Sequence, residues 1–169
     1  GIGRTGRMFA VEHWGVVPDI LVSAKGIASG LPLGVTVARS DVMNWGPGTH
    51  ANTFGGNPLA CVAATTTLRL VRDQYCENAR VMGERIMTRL RRLAEHAPHI
   101  GDVRGKGLMI GLEMVKNRQT RERNPALRDQ IVQRCFERGL LILGCGANTI
   151  RLMPPLVISA EEVDIGLGI

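Results

Sequence analysis

Ile20-Leu21-Val22-Ser23-Ala24-Lys25-Gly26-Ile27-Ala28-Ser29-Gly30-Leu31-Pro32-Leu33-Gly34-Val35-Thr36-Val37-Ala38 places two short apolar runs around a turn rich in glycine and proline. Ile20–Val22 and Val35–Ala38 read as short buried strands, bounded by Pro18, Gly30, Pro32 and Gly34. Lys25 follows the first run directly. It is one of three lysines (with Lys106 and Lys116) beside 18 arginines, and it stands alone among the first 100 residues. Arginine cannot replace lysine where an unprotonated amine must attack a carbonyl, because its pKa is too high. A lysine at a strand end among glycines and apolar residues can be desolvated and serve as a Schiff-base nucleophile. The plainer alternative is a solvated strand end. Lys106 and Lys116 lie in polar turns and read as surface residues.

Downstream, Thr49–Gly56 is a polar loop and a helix follows it. Asn57 caps that helix, Pro58 occupies its first turn, and small apolar residues continue to about Val71. A second helix covers roughly 77–96, with Val81, Ile86, Leu90 and Leu93 as its apolar stripe and arginines on the other face. Pro98 and Gly101 mark a boundary. The tail then alternates element types: a strand over 107–115, a charged loop, and a helix over 125–138 ended by Gly139. Strands follow at Leu140–Leu143 and Thr149–Met153, the latter stopped by Pro154-Pro155. Ser159 with Glu162 starts a last helix, which is expected to be cut short at Ile169.

Composition narrows the function classes. With 44% hydrophobic and 21% charged residues over 169 positions, the chain is that of a globular protein and not a disordered one. No apolar run is long enough for a membrane-spanning helix. No secretory leader is recognised, and a chain opening Gly-Ile-Gly is expected to be an internal piece of something longer. The net charge of +6 raises nucleic-acid binding, yet aromatic residues are 4% and the arginines are dispersed on helices, so solvated helix faces are the expectation. Cys61, Cys76, Cys135 and Cys145 form no CxxC pair, which suits reduced thiols in a cytoplasmic protein. No metal site is expected. His96-x-x-His99 straddles Pro98 at a helix end and reads as surface. Gly1-x-Gly3-x-x-Gly6 has the spacing of a dinucleotide fingerprint, but no strand precedes it and no helix opens within it.

Two further features invite an anion. The loop Asn52-Thr53-Phe54-Gly55-Gly56-Asn57-Pro58 opens a helix, where a hydroxyl and free N–H groups suit a phosphate. The alternative is an ordinary capped helix. Arg151 is isolated in the apolar strand Ile150–Met153, so its guanidinium is expected to meet a carboxylate, structural or substrate.

Together these pieces resemble one family. Gly1-x-Gly3-Arg4-Thr5-Gly6-x-Met8-Phe9-Ala10-x-Glu12-His13, Pro18-Asp19-Ile20, Ala24-Lys25-Gly26 and Gly30-Leu31-Pro32-Leu33-Gly34 occur in the order found in class III aminotransferases. Thr53-Phe54-Gly55-Gly56-Asn57-Pro58-Leu59-Ala60-Cys61, Arg104-Gly105-x-Gly107-Leu108-Met109-Ile110-Gly111 and Arg151-x-x-Pro154-Pro155-Leu156 continue it. The likeness is to the 4-aminobutyrate and acetylornithine aminotransferase group. It implies an α/β chain of the fold-type I architecture of pyridoxal 5′-phosphate enzymes. Residues 1–97 would be the C-terminal remnant of the large cofactor-binding domain, and 98–169 a small α+β C-terminal domain with its last helix truncated.

The resemblance also implies roles. Lys25 falls on the lysine that holds the cofactor as a Schiff base. Thr53 falls on the residue that binds the cofactor phosphate of the neighbouring subunit in a homodimer. Arg151 falls on the arginine that receives a substrate carboxylate. The implied reaction moves an amino group from an ω-amino acid or related donor to a keto acid, typically 2-oxoglutarate. No nucleic-acid or membrane partner is implied. Racemases of the same family are the alternative enzyme class. The family's Asp-Glu-x-Gln segment, whose Asp pairs with the cofactor ring nitrogen, falls before Gly1, so a catalytically inactive fragment is a further expectation.

Overall fold

The computed structural model describes all 169 residues, which divide into two compact units, Gly1–Cys76 and Glu77–Ile169. In the first unit, β1 (Ile20–Ser23) and β2 (Val35–Ala38) pair antiparallel in register Ile20↔Ala38 to Ser23↔Val35. Between them Lys25–Ala28 forms a single 3-10 turn. It packs on α1 (Pro58–Leu70), burying Ile27 and Ala28 against Ala60 and Ala64. Alanines at the contact let the two backbones approach closely, and the Ser29 and Thr67 hydroxyls share a 2.7 Å hydrogen bond beside it. The expectation that both strands are buried fails: Ile20 is 54% and Val22 72% exposed, Leu21 and Ser23 on the other face are half-buried, and Val35 packs against the Ile27–Ala64 cluster.

The helical stretch runs on beyond α1. A π turn at Val71–Tyr75 joins it to α2 (Cys76–His96). The buried positions of α2 are Ala79, Gly83, Ile86, Met87 and Leu90, a stripe at i, i+4, i+7, i+8 and i+11. Val81 and Leu93, expected on that stripe, are exposed. The phase is set by Gly83 and Ala79, whose small side chains give the periodicity little weight in the sequence.

The second unit is a four-stranded antiparallel sheet, order β3-β4-β6-β5, with β3 Ile100–Lys106, β4 Met109–Met114, β5 Leu143–Cys145 and β6 Thr149–Leu152. The boundary expected at Pro98 and Gly101 is the start of β3, Lys106 ends that strand instead of lying in a turn, and the strand expected at Leu140–Leu143 forms at Leu143–Cys145. Glycine explains the first difference. A Cβ on Gly105 would lie 2.5 Å from the Met109 carbonyl oxygen, and one on Gly101 would lie 2.7 Å from Val115 Cγ1. These glycines serve close approach within a hairpin, a role that looks like turn chemistry in sequence. The hairpin turns at Gly107, φ +52°.

The strand residues Ile110, Leu112, Met114, Ile150 and Leu152 face two apolar clusters. One is made with α2 and with Val163 of α4 (Ala160–Gly168), the other with Leu127, Ile131 and Val132 of α3 (Pro125–Glu137). Asn124 caps α3 through Leu127 N–H at 3.1 Å, and Ser159 with Glu162 forms the expected capping box of α4. The three helices thus cover one face of the sheet, and its opposite face carries no helix.

Candidate functional site

Lys25 occupies the first position of the 3-10 turn, with φ +57°. A left-handed backbone is rare for a residue with a Cβ and costs on the order of 1 kcal/mol or more. The residue is exposed, so the chain itself supplies no desolvating pocket for the amine. The Lys25 ammonium has no hydrogen-bond or ion-pair partner, whereas Lys116 is held by Glu122 at 2.6 Å and Lys106 is engaged. Lys25 is therefore the chain's one uncommitted lysine amine.

Thr53 belongs to the same unit and presents an exposed hydroxyl in the loop before α1. The helix end beside it is not an open anion site. Asn57 Oδ1 accepts from Leu59 N–H at 3.0 Å and from Ala60 N–H at 3.2 Å, and Pro58 has no N–H to offer. A phosphate at this loop would meet the Thr53 hydroxyl instead of the helix terminus.

Arg151 lies in the second unit, in the middle of β6, paired with Gly111 on one side and Leu143 on the other. Its Nε is buried and has no hydrogen-bond partner. Arg151 also borders a cavity of about 350 Å³, walled by Leu140–Leu143 and Leu152–Pro155 and by Ile86 of α2 and Val163 and Leu167 of α4. Residues paired across neighbouring strands share a face. Gly111, opposite Arg151, is itself opposite Arg104, so the three residues form one cross-strand row with the glycine between the arginines. The Arg104 side chain reaches over that glycine, its Cγ 3.8 Å from where a Cβ would be. Arg104 donates to Asp102 Oδ2 at 3.0 Å and to Thr149 Oγ1 at 3.4 Å. Nothing in the motif around Arg104 marks it as a site residue; only strand register puts it in one row with Arg151.

Other candidates resolve into structure. His99 Nδ1 lies 3.3 Å from the Val115 carbonyl oxygen and 3.2 Å from that of Lys116, and no three His, Cys, Asp or Glu side chains converge on a metal position. Gly1–Gly6 forms turns, with Gly6 N–H donating to Gly3 O at 3.0 Å, and no helix begins there. Burial raises the Cys76 and Cys135 thiols above the ordinary range, Glu12 adding to the effect at Cys76, which keeps both protonated. The four cysteines are free, and no helix is long and apolar enough to cross a membrane.

Residues 1–169 match the family model described as aminotransferase class-III. The chain is 44% identical to the 4-aminobutyrate aminotransferase of Mycobacterium leprae over 176 residues, covering 100% of the chain and 39% of that protein. It is 42% identical to the acetylornithine aminotransferase of Caldanaerobacter subterraneus, covering 100% of the chain and 41% of the relative. The identity is also 42% to a leucine/methionine racemase of Thermococcus litoralis, over 99% of the chain and 38% of that enzyme. Among solved structures, an amine transaminase from an uncultivated Pseudomonas species in its PLP-bound form superposes with a TM-score of 0.88. It is 36% identical over 99% of the chain and 40% of its own. The chain thus spans about two fifths of the length of these relatives.

Proposed function

The chain belongs to the class III aminotransferases, and on that premise we propose that the full-length protein is a pyridoxal-phosphate-dependent transaminase acting on an ω-amino acid or related donor. The acceptor in this reading is 2-oxoglutarate. The observation that carries the proposal is Lys25: a strained, exposed lysine with a free amine at the end of β1, where the family resemblance expects the cofactor lysine. The site residues fit the group. Lys25 would hold it covalently through Nζ as a Schiff base, and the Thr53 hydroxyl would bind its phosphate across the interface of a homodimer. When bound, the cofactor supplies an electron sink for the charge left as a substrate carbon loses its proton.

The chain's own residues then do the following. The Lys25 amine would serve as the general base that takes the proton from the carbon bearing the substrate nitrogen. Arg151 orients the substrate through its carboxylate, which satisfies the orphaned Nε. The reading also takes residues 1–97 as large-domain and 98–169 as small-domain structure. It places the protein in the cytoplasm, in keeping with four free cysteines.

Treating the protein with pyridoxal phosphate, dialysing and reducing with borohydride should fix one pyridoxyl group on Lys25. Lys25→Ala should take up none; equal labelling of the variant would overturn the assignment. A second reading, amino-acid racemisation, is favoured by the racemase relative at 42% identity. Formation of the opposite enantiomer without any keto acid would select it.

A further inference from the structure

The turn that carries Lys25 is strained at both ends. Lys25 opens it at φ +57°, and Ser29 closes it at φ +49° and ψ +44°. Left-handed residues with a Cβ persist only where their surroundings over-determine them. Gly30 follows at φ +105°, a region open to glycine. Ser29 lacks that freedom, and its hydroxyl shows what holds it. Ser29 Oγ lies 2.7 Å from Thr67 Oγ1. Thr67 already donates its one hydroxyl proton to the Ala63 carbonyl oxygen at 2.8 Å, so in this pair Ser29 donates and Thr67 accepts. Ala60, Ala64 and Thr67 share one face of α1 at i, i+4 and i+7. The alanines meet the buried Ile27 and Ala28, and Thr67 meets the far end of the turn. The turn is therefore fastened in its middle by apolar contact and at its end by one hydrogen bond, with Lys25 and Gly26 left exposed. Apolar contact is non-directional and permits sliding and rotation; a hydrogen bond has a preferred angle and opposes both.

We propose that Ser29, through its bond to Thr67, is a positioning residue for Lys25. The bond fixes the rotation of the 3-10 turn on α1, and with it the direction in which the Lys25 amine is presented. The inference rests on Lys25 being the cofactor lysine and adds the pair that aims it. A displacement of about 1 Å at a reacting group can cost on the order of a hundredfold in rate. A hydroxyl pair too exposed to contribute much to stability can thus still govern the chemistry.

Ser29→Gly and Thr67→Val separate aiming from stability. Glycine relieves the left-handed backbone at position 29 while removing the donor, and valine keeps the shape of threonine while removing the acceptor. Thr67→Ser keeps the acceptor. The full-length protein is loaded with pyridoxal phosphate, and visible circular dichroism is read per bound cofactor. An achiral chromophore shows dichroism only as far as the protein fixes its attitude. Ser29→Gly and Thr67→Val should lose roughly half or more of that signal, and kcat should fall about tenfold or more. Their thermal unfolding midpoints should stay at that of the unaltered protein, and Thr67→Ser should keep the dichroism. Unchanged dichroism in Ser29→Gly and Thr67→Val overturns the proposal. So does a loss that tracks a lowered unfolding midpoint in both, because that reports a loosened fold. Borohydride reduction separates this from failure of the underlying reading. Pyridoxyl on Lys25 beside unchanged dichroism overturns the aiming role alone. No pyridoxyl on Lys25 of the unaltered protein overturns the cofactor-lysine assignment, and the aiming role with it.

Discussion

At the scale of single residues, the tightest constraint in the molecule is a glycine. A Cβ on Gly83 would fall 2.2 Å from the Gly107 carbonyl oxygen, which places α2 in backbone contact with the turn of the β3–β4 hairpin. Backbone cannot swing aside as a side-chain tip can, so the hairpin must shift bodily. Gly83→Ala should therefore destabilise the second unit by about 2–3 kcal/mol, although alanine is the better helix former. Urea unfolding measures this, and a stabilised variant would show that the contact is looser than it looks. Lys25 and Arg151 were legible as single residues for opposite reasons. Lys25 stood out by scarcity in an arginine-rich chain, Arg151 by charge within an apolar strand. Arg104 stood out by neither test, because many arginines of this chain are solvated and only pairing across Gly111 sets it apart.

At the scale of elements, helices were read best where caps announce them. Asn57-Pro58 and Asn124-Pro125 start α1 and α3 where the cap residues predict. The strands of the second unit were harder, since glycines that permit close approach imitate turn residues. Burial was harder still, because it depends on what covers an element and not on the element's own residues. Two element junctions yield tests. Asn57 satisfies two N–H groups of α1, so Asn57→Ala should cost the first unit about 1 kcal/mol, read from denaturant midpoints. Asp164 of α4 is gripped by Arg85 and Arg89 of α2, with N···O distances down to 2.5 Å and 3.2 Å respectively. The hydrogen bond from Arg85 holds the Asp164 carboxyl below the usual aspartate range. A carboxylate whose folded pKa is depressed stabilises the fold above its unfolded pKa, and that contribution is lost as pH falls through the folded value. Stability of the protein should therefore fall as pH drops below the ordinary aspartate range, in part through Asp164. Asp164→Asn should be less stable at neutral pH and show a shallower acid loss; parallel profiles would assign the acid sensitivity elsewhere.

At the scale of the whole molecule, the two units differ in how much apolar surface they enclose. The second buries Ile86, Leu90, Leu108, Ile110, Met114, Val115 and Ile150 among others, whereas the first encloses little beyond Ile27, Ala28, Ala60, Ala64 and Val71. Exposed in that first unit are Trp14, Val17, Ile20, Val22, Phe54, Leu59 and Val62. Residues 40–57 connect β2 to α1 without helix or strand, and their few backbone hydrogen bonds are local ones such as Thr49 N–H to Gly46 O. Local opening is cheapest where buried contacts and hydrogen bonds are few. Protease digestion should thus cut first within 40–57, at Trp45 or Phe54 for a chymotrypsin-like enzyme, and leave residues from Glu77 onward as the resistant piece. Mass spectrometry of an early time course reads the order. A first cut between Ile100 and Val163 would show that the sheet and its three helices are not the firmer unit.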